Sequence, residues 1–127
     1  MAAESTRGHF FNIDSQEGGI LRKLAEGMDA RIFVGENVMV SLVQIAAGAK
    51  GKLHAHPQEQ WGLLLEGSGL RTQDGEVIAV KKGDFWQTPG NVEHTFEAGS
   101  DGATVLDIFS PPRDEYRSAG EGFGDAG

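Results

Sequence analysis

The sequence predicts an all-β fold, and three observations carry that prediction. Short apolar, β-branched segments recur about every 8–12 residues with turn signals between them. Glycine supplies 19 of the 127 residues, roughly twice the share of about 7% usual in globular proteins. The only segment with helical apolar spacing, residues 20–26, is short, lacks a cap and ends at Gly27, so it too reads as a strand.

The elements follow in order. Residues 31–34 and 38–45 are rich in Val, Ile and Leu, and Gly35-Glu-Asn37 between them reads as a tight turn. Residues 61–65 form the next strand, which the pattern ends at Glu66-Gly67. Residues 70–73 and 77–80 flank Asp74-Gly75, a strong hairpin signal because the turn needs φ > 0. Residues 85–88 run up to Pro89-Gly90, and residues 95–98 and 103–109 complete the set. Such spacing argues for a sandwich or barrel.

The length fits one domain that buries about two-thirds of its unfolded surface. Its expected limits are 9–116, between an N-terminal tail at 1–8 and a Gly-rich C-terminal tail at 117–127. With no cysteine, disulfides, thiolate chemistry and Cys-ligated metal sites are excluded. Eleven Lys and Arg against 19 Asp and Glu give a net charge of −8, which offers no attraction to nucleic acid or anionic lipid. No apolar run is long enough to span a membrane, and the first residues lack a signal-peptide core. The expectation is a cytoplasmic protein with neither nucleic-acid nor membrane partners.

Three of the four histidines, His54, His56 and His94, fall in strand-like segments. His54 and His56 are two apart, so on a strand they share a face about 6.6 Å apart. Two imidazoles so placed can chelate one ion if another strand brings a third ligand. The first segment reads Gly48, five residues, His54-Ala-His56, then Gln60 and Gly67; the second reads Gly83, five residues, Pro89, then His94.

Those two segments resemble the paired signature motifs of the cupin superfamily over about residues 39–109. Gln60 stands in the slot the family gives to Glu, Asn91 replaces an internal Gly, and Ala98 replaces a final Asn. The resemblance implies a conical, jelly-roll-like antiparallel β-barrel with a metal in its mouth. It would account for the glycine content through the turns of the barrel.

By that resemblance the metal ligands are His54, His56, His94 and a fourth donor. The fourth is Gln60 or Glu59; adjacent strand residues face opposite ways, so only one can point inward, and the motif register favours Gln60. A neutral Gln leaves a divalent ion its full charge and makes it the harder Lewis acid. Nitrogen and oxygen donors suit Zn, Ni, Fe, Mn or Co without choosing among them.

Trp61, Phe85, Trp86 and Phe96 lie beside the ligand segments, and Trp61, Trp86 and Phe96 are the candidate apolar walls of the pocket. Asp107 and Phe109 share a strand face, and an inward Asp107 is costly without a partner or a task. Arg113 follows a Pro-Pro bend that could fold it over the mouth. This stretch, with His54-Ala-His-Pro-Gln-Glu-Gln60, is similar to the small ketouronate isomerases of pectin and alginate degradation. The similarity implies Asp107 as acid/base, Arg113 as a bidentate clamp for a substrate carboxylate, and Phe109 packed on the substrate.

The leading expectation is therefore an enzyme with one divalent ion that moves protons on a small oxygenated substrate. Isomerisation, elimination and cyclisation share that step, with ketouronate isomerisation first and aromatic polyketide cyclisation second. The same signature also fits a cupin dioxygenase using O₂, or a non-enzymatic ligand- or metal-binding module. Small cupins generally pair, so a homodimer through the apolar early strands is expected.

Overall fold

The computed structural model describes residues 8–117 and 120–123. Seven strands form: β1 (Ile20–Ala25), β2 (Met28–Val34), β3 (Met39–Ile45), β4 (Glu59–Gln73), β5 (Glu76–Lys81), β6 (Phe85–Thr88) and β7 (His94–Ser110). A single turn of 3-10 helix, Asp114–Arg117, follows β7. Every pairing is antiparallel, in the order β1-β2-β3-β7-β4-β5, with β6 on β4. The 20–26 segment is a strand, as its shortness predicts. No helix among the described residues is long and apolar enough to cross a membrane.

Asp74-Gly75 closes the β4–β5 hairpin as a two-residue loop with φ of 50° and 80°, the geometry its dipeptide demands. Two sequence boundaries are corrected. The strands expected at 61–65 and 70–73 are one strand, β4, and those expected at 95–98 and 103–109 are one strand, β7. Glu66-Gly67 does not end a strand. The β4–β7 register shifts there, between Leu64 and Glu66 and again between Gly67 and Gly69. A bulge bends a strand sharply without breaking the ladder on either side, and glycine composition alone cannot tell a bulge from a turn.

Because of those bulges, β4 and β7 each serve two surfaces. One half of the pair, Glu59–Gly67 against Ala103–Ser110, carries β3, β2 and β1 on the outer edge of β7. The other half, Gly69–Gln73 against His94–Ala98, meets the 50–54 segment through bridges at Lys50↔Glu97 and His54↔His94. The two surfaces close on a core that includes Ile32, Met39, Leu64, Phe96, Val105 and Phe109.

Residues 1–7 lie outside the described residues. Within 117–127, residues 120–123 are built into the fold: Glu121 forms a parallel bridge to Lys23, and Gly122 N–H donates to the Lys23 carbonyl at 2.8 Å.

Gly67 is the most constrained bulge position. Its φ is +86°, and a Cβ there would sit 2.0 Å from the Gly102 carbonyl oxygen. Gly67→Ala is therefore expected to cost about 2–4 kcal/mol from backbone strain and displacement, read as a lowered urea midpoint with an unchanged slope.

Candidate metal centre

The segment before β4 is extended but is not a strand of the sheet. Its ladder contacts are the isolated bridges Lys50↔Glu97 and His54↔His94, the second with His54 N–H donating to the His94 carbonyl at 3.1 Å and His94 N–H returning the bond at 2.9 Å. His56 is held beside it, its carbonyl accepting from Asn91 N–H at 2.7 Å. The strand geometry expected for His54 and His56 thus gives way to a loop, with ring centroids 5.8 Å apart. His94 closes the group at 4.5 Å from His54 and 4.9 Å from His56. One ligand atom from each lies within 4.8 Å of the others, so the three could hold a metal ion.

Each imidazole is oriented by a backbone carbonyl. Nδ1 of His54 faces Lys52 O at 2.9 Å, that of His56 faces Gln58 O at 3.1 Å, and that of His94 faces Val92 O at 2.8 Å. A carbonyl only accepts, so each Nδ1 carries the proton and each Nε2 keeps its lone pair. Burial holds His94 down at about 3 and His54 at about 4, with help from Arg71 and Arg113 respectively, and lowers His56 as well. Near neutrality all three are unprotonated, the form a metal ion requires.

Two local contacts fit a cation. The buried Nε2 of His94 has no hydrogen-bond partner. Nε2 of His56 lies 3.0 Å from Oε1 of Gln60, and that amide is orientated by its nitrogen donating to Asp107 Oδ1 at 3.0 Å. Two lone pairs therefore face each other in a buried site, an arrangement that a positive ion relieves. Gln60 is 4% exposed, whereas Glu59 is turned outward to Trp61 and Gln87.

Sheet register explains who else is present. Across β3, β7, β4 and β6, one inward row reads Met39, Phe109, Gln60, Thr88 and the next reads Ser41, Asp107, Gly62, Trp86. Asp107, Phe109, Trp86 and Phe96 all line a cavity of about 50 Å³ with His54 and His94, room for a few waters or a small ligand. Phe109 meets His56 edge-on at 5.6 Å, and Trp86 stacks on Phe96 at 6.0 Å. Arg113, 1% exposed, reaches the same cavity over the Tyr116 ring at 4.2 Å.

Trp61 does not belong there. It is 44% exposed on the outer face and stacks on Phe85 at 6.5 Å. Odd positions in this half of β4 face outward, which strand alternation from an inward Gln60 already requires.

Sequence reasoning missed Arg71. It lines the cavity, 5% exposed, donating to Thr88 Oγ1 at 2.8 Å and Gln73 Oε1 at 3.3 Å, with its guanidinium 5.5 Å from the Trp86 ring. Counting by twos from Gln60 puts residue 71 outside. The bulges around Gly67 change the parity and turn it in. Burial lowers Arg71 to about 10, so it stays cationic near neutral pH. Burial raises Asp107 above the ordinary carboxylate value, against the pull of Arg71, Gln60 and Arg113.

A family model described as a cupin domain matches residues 41–109. The chain belongs to the cupin family. An uncharacterized protein of Methanocaldococcus jannaschii is 33% identical over 100 residues, 77% of this cupin and 78% of that protein. The pectin degradation protein KdgF of Dickeya dadantii is 28% identical over 96 residues, covering 74% and 87%. The solved structure of KdgF from Halomonas sp. superposes with a TM-score of 0.70 at 27% identity, covering 75% of this cupin and 88% of that chain. Other relatives bear names of different chemistry. Oxalate decarboxylase OxdC of Bacillus subtilis is 26% identical over 74% of this cupin but only 25% of its own length. A dimethylsulfoniopropionate lyase of Ruegeria pomeroyi is 30% identical, over 64% and 51%.

Two outcomes test the centre. In metal-free protein the ring-proton resonances of His54 and His94 should stay fixed between about pH 7 and about pH 5, across the ordinary histidine value of about 6.5; a midpoint inside that window would contradict their burial as neutral groups. Zinc titrated into the protein should bind with one-to-one stoichiometry by calorimetry and raise the melting temperature, and His94→Ala should abolish both effects.

Proposed function

We propose that this cupin is a metal-dependent enzyme that moves a proton at a carbon beside a carbonyl or enol of a small carboxylate-bearing substrate. Ketouronate isomerisation is the first reaction to test. The observation that carries the reading is the convergence of Asp107, Arg71 and Arg113 with His54, His94 and Gln60 on one small cavity, beside the three-histidine group. Two buried guanidinium groups suit an anion, and one buried carboxyl among them suits proton transfer.

Each residue has a role set by its surroundings. Gln60 and the three histidines would hold a divalent ion, which when bound supplies Lewis-acid polarisation of a substrate oxygen. Asp107 takes a proton from the adjacent carbon and returns it at the next position. Its burial raises its proton affinity towards that of a useful base. The Gln60 amide at Oδ1 fixes the carboxyl plane. Arg113 and Arg71 hold the substrate's carboxylate and a second oxygen from different walls. Phe109, Trp86 and Phe96 supply the apolar faces that keep water from the exchanging proton. KdgF bears the name of a pectin degradation protein, and uronates, the acid sugars of pectin, carry the carboxylate this cavity would take.

The test is loss of ultraviolet absorbance of unsaturated uronate monomers on addition of metal-loaded protein. Asp107→Asn should lower kcat by about 10²-fold or more with metal content unchanged. Arg113→Gln should act mainly on KM. Full activity in Asp107→Asn would sink the assignment, and inactivity of the wild type on every uronate would move the search to other small carboxylates.

A further inference from the structure

Among the described residues, the segment 120–123 is held by contacts that a loose tail has no reason to make. Arg22, on the edge strand β1, is 7% exposed. Its guanidinium donates to three backbone carbonyls: Nε to Gly122 O at 2.8 Å, Nη2 to Glu121 O at 2.7 Å, and Nη1 to Glu115 O at 2.7 Å. It also lies 5.0 Å from the Tyr116 ring. One buried cation thus gathers the segment on both sides of residues 118–119.

The segment delivers one side chain to the cavity. The Phe123 ring stacks on His54 with centroids 4.5 Å apart and lines the same cavity as His94, Asp107 and Arg113. Gly51 leaves the space for it: a Cβ there would meet the ring at 2.8 Å. The Phe123 carbonyl accepts from Arg113 Nη2, while Nε of Arg113 is buried without a partner. The carbonyl therefore holds one edge of the guanidinium and leaves Nε for another acceptor.

We infer that residues 120–123 are a strap that completes the cavity: Arg22 latches it to β1, Phe123 covers His54, and the Phe123 carbonyl positions Arg113 for an anionic oxygen. Phe123 is then a wall that limits ligand size, and Arg22 acts on the site through the strap. Two charge-assisted bonds to strap carbonyls, with a third to Glu115 O, make the latch stronger than a surface ion pair of the Lys23–Glu26 kind.

The test reads access to His54 in the metal-free protein. Wild type, Phe123→Ala and Arg22→Lys are treated with diethyl pyrocarbonate near neutral pH, and modification of each histidine is followed by mass spectrometry. Exposed His9 is the internal reference. His54 should react roughly tenfold faster in both variants, the signature of a local opening rather than global unfolding, with His9 unchanged and thermal unfolding still cooperative. Phe123→Leu should restore slow reaction. Equal His54 rates in wild type and Phe123→Ala would overturn the strap; that variant decides alone if Arg22→Lys fails to fold. A second arm mixes zinc-loaded protein with a chromogenic chelator, and the variants should surrender zinc faster than wild type. Failure of the wild type to take up zinc would refute the metal reading, and the labelling result would still judge the strap.

Discussion

The antiparallel pairing of β4 with β7 is the constraint on which the rest of the molecule depends. It runs from Glu59↔Ser110 to Gln73↔His94 and is bent in the middle by bulges. Gln60, Arg71, His94, Phe96, Asp107 and Phe109 all come from these two strands. One continuous ladder therefore sets the spacing of two candidate ligands, the carboxyl and one guanidinium of the cavity, and two aromatic walls. A one-residue slip would turn each of those side chains to the opposite face. The bulges are as important as the ladder. Inward positions are 60, 62 and 64 before the bend in β4, and 69 and 71 after it; in β7 they are 94, 96 and 98, then 103, 105, 107 and 109. The change of parity at Gly67 and near Gly102 lets both surfaces of the bent pair face a common interior.

The interior so formed is chemically unlike the surface. The chain carries a net charge of −8, yet the buried ionic groups of the cavity are two arginines and one aspartate. Burial acts on each in the direction that disfavours charge: down for His54, His56, His94 and Arg71, up for Asp107 and Tyr116. The histidines respond by staying neutral, which leaves their Nε2 lone pairs directed inward. Arg71 keeps its charge because its ordinary value is so high that a fall to about 10 leaves it protonated. A buried set of this kind is costly as mere packing, and such costs concentrate where a ligand makes use of them.

Much of this was legible in the residues. Offsets of two and repeated turn signals marked the strands, the spacing of His54 and His56 marked a chelating pair, and the resemblance to the cupin motifs added His94 and Gln60. The pair Asp107 and Phe109 was legible because alternation is strict within an unbroken strand. Trp61 lies outside the cavity, 44% exposed, as alternation from an inward Gln60 requires; nearness in sequence to the ligands does not put a side chain on their face. Arg71 was invisible for a different reason. Its direction depends on a parity change at a bulge, and Glu66-Gly67 reads equally well as the end of a strand. The docking of residues 120–123 was hidden too, since four glycines in the last eleven residues signal looseness while the order comes from Arg22, about a hundred positions away.

The sequence by itself determined what is local: the strand periodicity, the Asp74-Gly75 turn, the absence of thiolate ligands and the rule that only one of Glu59 and Gln60 can face inward. These follow from backbone geometry over a few residues and from side-chain chemistry, which need no partner. Only the tertiary structure decided which cations share the cavity with Asp107, that two pairs of apparent strands are two long bent ones, and that Phe123 lies on His54. Those depend on the register between strands far apart in the chain. Register is a property of the closed sheet, settled by the sum of its cross-strand contacts rather than by any one segment.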